Sequence, residues 1–218
     1  HVDVILEKAI KDGVRQVVLL RPLYDSSAYR FHKAAPDVKY YEVDLPEIQA
    51  EKIKLTKNIL GVTPDWVSYV PFDFHKQNIA AELKKAGYDE KNKTLFIFAG
   101  TQYTAAEVAD SLLKFIANHT AAGSSVVFEY VLNPVLEKDY RYLGARASIS
   151  ALAAWGIKYI FGINDGEVES VFNKNGLALI SDSGPEELTK NYLIKSNGKV
   201  DDRMHGFFKI AYAGVPEK

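Results

Sequence analysis

The run Val17-Val18-Leu19-Leu20-Arg21-Pro22-Leu23-Tyr24-Asp25-Ser26-Ser27-Ala28-Tyr29-Arg30 decides how this chain is read. Val17 to Leu20 are all aliphatic, which suits a strand buried on both faces, as in a parallel sheet, and not one with a face in water. Asp25, Ser26 and Ser27 carry the short oxygen-bearing side chains that open helices. Between them lie Arg21, Pro22 and Leu23. A tight passage from strand to helix usually calls for glycine, and none is present.

Outward from this point, apolar runs rich in Val, Ile, Phe and Tyr alternate with segments of helical period, the pattern of repeated strand-helix units. Strands are expected at Gln16 to Leu20, Lys39 to Val43, Trp66 to Val70, Thr94 to Phe98, Ser125 to Val131, Leu177 to Ser183 and Gly206 to Ala213. Helices are expected at Val2 to Lys11, Pro46 to Leu60, Asn78 to Ala86, Ala105 to His119, Asp165 to Asn175 and Pro185 to Tyr192. Gly13, Gly61, Gly87, Gly123 and Gly176 each follow a helical run, where helices stop. The stretch 133–163, rich in Tyr and Ala and carrying Trp155, has no simple period. It reads either as a lid over the carboxyl edge of the sheet or as one more helix packed on it.

With 218 residues, 47% of them hydrophobic and 25% charged, the chain can bury one sizeable core, so 1–218 is expected to be a single domain. The formal charge of −1 and the scattering of lysines among acids give no drive toward nucleic acid or anionic membrane. A small-molecule ligand is the expected partner, and oligomeric state is left open. The absence of cysteine excludes disulfides, thiolate metal sites and a thiol nucleophile. No apolar run is long enough to span a membrane and no signal peptide is visible, which makes a cytoplasmic setting the default expectation. The five histidines show no metal-ligand spacing, so no metal is expected.

Gly13 to Leu20 followed by Asp25-Ser26-Ser27-Ala28-Tyr29-Arg30 resembles the first motif of the leucine carboxyl methyltransferase-like family of S-adenosylmethionine (SAM) enzymes. That motif reads G-A-G-x-D-[ST]-x-A-x-R. The resemblance covers nearly the whole chain. Val38-Lys39-Tyr40-Tyr41-Glu42-Val43-Asp44-Leu45-Pro46-Glu47 matches the second motif, which assigns the SAM ribose hydroxyls to Asp44, with Glu42 as the alternative. Pro71-Phe72-Asp73-Phe74 matches the third, which sets Asp73 against the adenine amino group and Phe74 against its ring. Asp44 and Asp73 also suit a plainer role as helix caps. Asp25 and Gly100 complete the implied cofactor set. The resemblance implies an α/β, Rossmann-like class I methyltransferase fold with a seven-stranded, mostly parallel sheet and helices on both faces.

Departures from the family pattern gather at positions expected to face one cleft. Arg21, Pro22 and Leu23, followed by Tyr24, stand in the glycine loop, and Ala99 stands where an acid precedes Gly100. Ile157 and Lys158 replace the acid and proline of a G-E-P run. Family members also carry a basic segment ahead of the helix matching Val2 to Lys11. Such clustering points to a cleft altered as a unit, by a lineage that gave up the cofactor or by deliberate redesign, with the concentration favouring redesign. Three functions follow. The first is a scaffold with weakened O-methyl transfer and a cleft open to another small molecule, the second an active SAM-dependent O-methyltransferase, and the third a non-catalytic binding protein. Lys158, if enclosed by Trp155, Ile157 and Tyr159, would be a candidate amine nucleophile. Ser26 or Ser27 with His32 or His75 lacks a nucleophile elbow and reads better as helix capping.

Overall fold

The computed structural model describes residues 1–217. In chain order the elements are α1 (Val2–Lys11), β1 (Gln16–Leu20), α2 (Ser27–His32), β2 (Lys39–Asp44), α3 (Pro46–Leu60), β3 (Val67–Pro71), α4 (Ile79–Lys85) and β4 (Thr94–Phe98). They continue with α5 (Ala106–Asn118), β5 (Ser125–Val131), α6 (Ala145–Ala154), α7 (Val168–Lys174), β6 (Ala178–Ser183), α8 (Pro185–Tyr192) and β7 (Phe208–Gly214). Seven strands form one sheet in the order β3-β2-β1-β4-β5-β7-β6. The first five are mutually parallel, and β7 runs antiparallel to both β5 and β6.

Every residue of β1 and β4 is buried, so the strands feed two cores by simple alternation. Val18, Leu20, Phe96 and Phe98 pack on one face with Leu112, Leu113 and Ile116 of α5, while Val17, Leu19, Leu95 and Ile97 pack on the other with Leu6 and Ala9 of α1. Burying a side chain of this size stabilises the fold by about 1.5–3 kcal/mol. The chain leaves β1 toward β2 on one side and later places β4 on the other. That reversal opens a crevice at the carboxyl ends of these strands, where open α/β sheets hold ligands.

Two expectations need correction. Neither Ser26 nor Ser27 caps α2 through its hydroxyl. The Asp25 carboxylate does so, accepting from the Ser27 amide at 2.6 Å, and Ser26 Oγ instead accepts from Arg30 Nε. The stretch 133–163 is likewise not one helix buried on the sheet. It contains α6, in which Ala145 alone is buried, followed by an extended return pinned at both ends of its length. Ile163 bridges Leu132 beside the end of β5, and the amides of Ile160 and Phe161 both donate to the Gln102 carbonyl. Among the described residues no helix is long and apolar enough to cross a membrane, and no cluster of three or more potential metal ligands occurs.

Candidate functional cleft

Over β1 and β2 the loop after β1 is held by the protein's own groups. Arg21 and Leu23 adopt φ of +55° and +47°, the left-handed region in which a Cβ costs about 1–2 kcal/mol. The loop therefore keeps a glycine-like backbone without glycine. Several bonds hold it there. The Arg21 amide donates to the Val43 carbonyl at 2.9 Å, continuing the sheet ladder, and the Asp25 amide donates to the Pro22 carbonyl at 2.8 Å. Arg21 Nη1 donates to the Tyr103 carbonyl at 3.0 Å and to Thr104 Oγ1 at 3.1 Å, with the guanidinium 5.5 Å from the centre of the Phe74 ring. Burial lowers the Arg21 pKa, against the opposing pull of Asp44. Pro22 is buried beneath, while Leu23 and Tyr24 project outward, about half exposed.

Asp44, 1% exposed, has both carboxylate oxygens engaged: Oδ2 accepts from the Leu23 amide at 2.9 Å and Oδ1 from the Leu45 amide at 2.8 Å. It ties the loop after β1 to the start of α3. Glu42 does not reach the cleft. Its side chain is fully buried, within 2.8 Å of Lys52 Nζ, and Lys52 also donates to the Asp25 carbonyl. Burial raises the Glu42 pKa even against the neighbouring ammonium. Glu42 and Asp25 brace the loop from below, through Lys52 and the Ser27 amide. Asp73 accepts from the His75 amide at 3.0 Å and pairs with Lys76, contacts that hold its pKa below the usual range. It closes the turn before α4, while Phe74 lies under Arg21.

Over β4 and β5 the arrangement differs. Gly100, at φ +73°, follows Ala99 and directs its amide at Glu129 Oε2, 3.3 Å away. The Thr101 hydroxyl donates to the Glu129 carbonyl. Glu129 lies on β5 among Val127, Phe128, Tyr130 and Val131, and burial raises its pKa. Tyr103 and Tyr159 stand beside it with ring centres 5.6 Å apart and planes inclined by 33°. Burial pushes both phenols up, Tyr159 to about 12, and the Glu129 charge adds to each shift. The sequence reading passed over Glu129. A lone acid inside an otherwise apolar strand was the available signal.

Lys158 is exposed, as are Trp155 at 75% and Ile157 at 44%. The apolar enclosure that would turn this ammonium into a nucleophile is not formed; Tyr159 alone of that group turns inward. Neither Ser26 nor Ser27 contacts a histidine, and His32 instead stacks on Trp66 at 3.8 Å.

The sequence model of the family described as leucine carboxyl methyltransferase matches residues 1–117. Over its whole length the chain is 25% identical to "Putative S-adenosyl-L-methionine-dependent methyltransferase YktD" of Bacillus subtilis (strain 168), of which it covers 70%. A relative from Mycobacterium marinum (strain ATCC BAA-535 / M) bearing the same description is 31% identical over 69% of this chain and 50% of its own length. The chain thus spans between half and 70% of these two curated relatives. Among solved structures, magnesium protoporphyrin IX methyltransferase (ChlM) from Synechocystis PCC 6803 with bound SAH aligns over 99% of this chain and 81% of its own, with a TM-score of 0.57 and 10% identity. The N-methyltransferase NodS from Bradyrhizobium japonicum WM9 aligns over 99% and 94%, with a TM-score of 0.53 and 13% identity. At these identities the two structures establish the Rossmann-like class I methyltransferase fold.

Proposed function

The chain belongs to the leucine carboxyl methyltransferase family, and from that premise we propose that it is a methyltransferase scaffold whose cleft binds the family's cofactor weakly and is available to another small molecule. SAM is the cofactor of this family, which makes the nucleoside side of the cleft the place to test its fit. The observation that carries the reading is the double engagement of Asp44. Each Asp44 oxygen accepts one backbone amide and the residue is 1% exposed, so a ribose would have to reach the remaining acceptor site of each oxygen past the Leu23 turn. Arg21 and Leu23 add side chains where the family pattern leaves bare backbone. Together these features support weak binding of the cofactor as the family holds it.

Losing one contact to a charged group costs about 1.5–3 kcal/mol. Two such losses weaken binding about a hundredfold or more. A second reading, an active SAM-dependent O-methyltransferase, is favoured by one observation: Glu129 brings a carboxylate to Gly100, beside the Ala99 position where the family carries an acid.

Calorimetric titration with S-adenosylhomocysteine separates the two. The chain is compared with a variant carrying Arg21→Gly, Pro22→Ala, Leu23→Gly and Ala99→Glu. The expected result is no heat from the unaltered chain below millimolar ligand and binding gained in the variant. Micromolar binding by the unaltered chain establishes the second reading. Failure of the variant to gain binding removes the loop as the cause.

A further inference from the structure

We propose that α6 and the extended return behind it dock the protein on an anionic lipid surface. Trp155, Ile157 and Ile160 enter the headgroup boundary, and Arg146 and Lys158 meet the lipid charge. The inference goes beyond the cofactor reading and does not depend on it.

The first observation is the distribution of charge. The formal charge of −1 averages over an uneven chain. No acid occurs between Asp139 and Asp165, the longest acid-free interval in a chain with 28 acids. The same interval carries Arg141, Arg146 and Lys158. Its bordering acids are already paired, Asp139 with Arg141 at 2.6 Å and Asp165 with Lys209 at 2.9 Å. Asp201, near the start of α6, is paired with Lys195. Arg146 stands 4.3 Å from the centre of the Tyr140 ring and Lys158 is exposed, and neither enters an ion pair among the described residues.

The second observation is apolar surface without cover. A helix on a globular body ordinarily hides an apolar stripe, yet α6 buries Ala145 alone. Of residues 150–158 only Leu152 is partly covered, and Ile160 beyond them is again exposed. Contiguous exposed apolar surface marks a place of contact. Tryptophan and aliphatic side chains flanked by cations are the composition of segments that lie in a lipid interface.

The same facts select lipid over protein. Side chains that stand off a projecting helix end bury little area against a rigid partner, whereas a bilayer deforms around them. A second copy packed on this face through a two-fold axis would set Arg146 and Lys158 near their own equivalents, with no acid in the interval to answer them. The return is tied to the cleft by the Ile160 and Phe161 amides, which donate to the Gln102 carbonyl, so docking sets the cleft beside the lipid.

Co-sedimentation of the whole chain with vesicles tests this. Vesicles of phosphatidylcholine with about 30 mol% phosphatidylglycerol are expected to bind it about tenfold or more tightly than pure phosphatidylcholine. That preference should fade at about 1 M salt, where surface charge is screened. The double variant Arg146→Glu, Lys158→Glu is expected to reduce it below about twofold. Trp155→Ser should bind the anionic vesicles about tenfold more weakly, with an unchanged circular dichroism spectrum and without the blue shift of tryptophan emission that the parent chain shows on binding. Ile59→Ser, at an equally exposed apolar position on α3, is expected to bind as the parent does. The proposal is overturned if the two kinds of vesicle bind alike, if neither binds, or if Ile59→Ser weakens binding as much as Trp155→Ser. It is also overturned if sedimentation velocity shows a dimer that Trp155→Ser dissociates, since the face would then belong to a second copy.

Discussion

The two halves of the cleft carry the same kinds of groups in opposite states. Over β1 and β2, a cation, a carboxylate and a strained loop close on one another: Arg21 is fastened to Tyr103 and Thr104, and Asp44 to Leu23 and Leu45. Over β4 and β5, Glu129 and the Gln102 side chain keep acceptor capacity in hand, and Tyr103 and Tyr159 stand beside them. The difference lies in where the polar groups find partners. The first half is cross-braced by an ion pair and amide contacts; the second has no ion pair at Glu129 among the described residues. Substitutions in the two halves should therefore separate stability from binding.

The largest effect is expected below the closed half. Lys52→Met strands the buried Glu42 carboxylate and should cost about 3–5 kcal/mol of stability in urea unfolding. A cost under about 1 kcal/mol would mean that the pair is not the foundation of the loop. Next, Asp44→Ala leaves two amides unpartnered and should cost about 2–4 kcal/mol, whereas a ribose-binding carboxylate with no structural task would cost almost nothing. Leu23→Gly, at a half-exposed position with φ +47°, should raise stability by up to about 1 kcal/mol through relief of left-handed strain. A loss there would show that the Leu23 side chain packs more than its exposure implies.

In the open half the effect appears in pH dependence. Burial raises the Glu129 pKa in the folded chain above its ordinary value of 4.5, so the folded state binds this proton more readily than the unfolded chain does. The residue therefore weakens the fold as pH rises through the interval between those two values, and the penalty persists above it. Glu129→Gln should unfold at a higher temperature than the unaltered chain at pH 7–8, with the gap closing toward pH 4. A gap independent of pH would contradict the picture of an uncompensated carboxyl. The smallest effect belongs to Lys158→Ala, an exposed substitution expected to change stability by less than about 0.5 kcal/mol.

How far the sequence could be read varied with the range of the interaction. The buried β1 run, the helix stops such as Gly61 at φ +77°, and the Asn78 cap that accepts from the Ala81 amide all follow from residues within a few positions of one another. The departure at Arg21, Pro22 and Leu23 was equally plain, because a missing glycine is visible in the text itself. The roles of the acids were not. Asp44 and Glu42 lie two residues apart on one strand, so alternation sends them to the same face, and which of them meets a lysine depends on α3. Lys158 suggested chemistry from its neighbours in sequence, and its exposure followed from how the extended return after α6 is pinned by Gln102.

By itself the sequence determined the alternating α/β fold and the family, since periodicity, helix stops and motif spacing are local properties of the chain. Tertiary structure alone decided that Asp44 accepts amides from positions 23 and 45, that Arg21 binds the turn after β4, and that no ion pair to Glu129 occurs among the described residues. The physical reason is that a polar group's function depends on whether another group has already satisfied it, and the satisfying groups here come from strands and loops far apart in the chain.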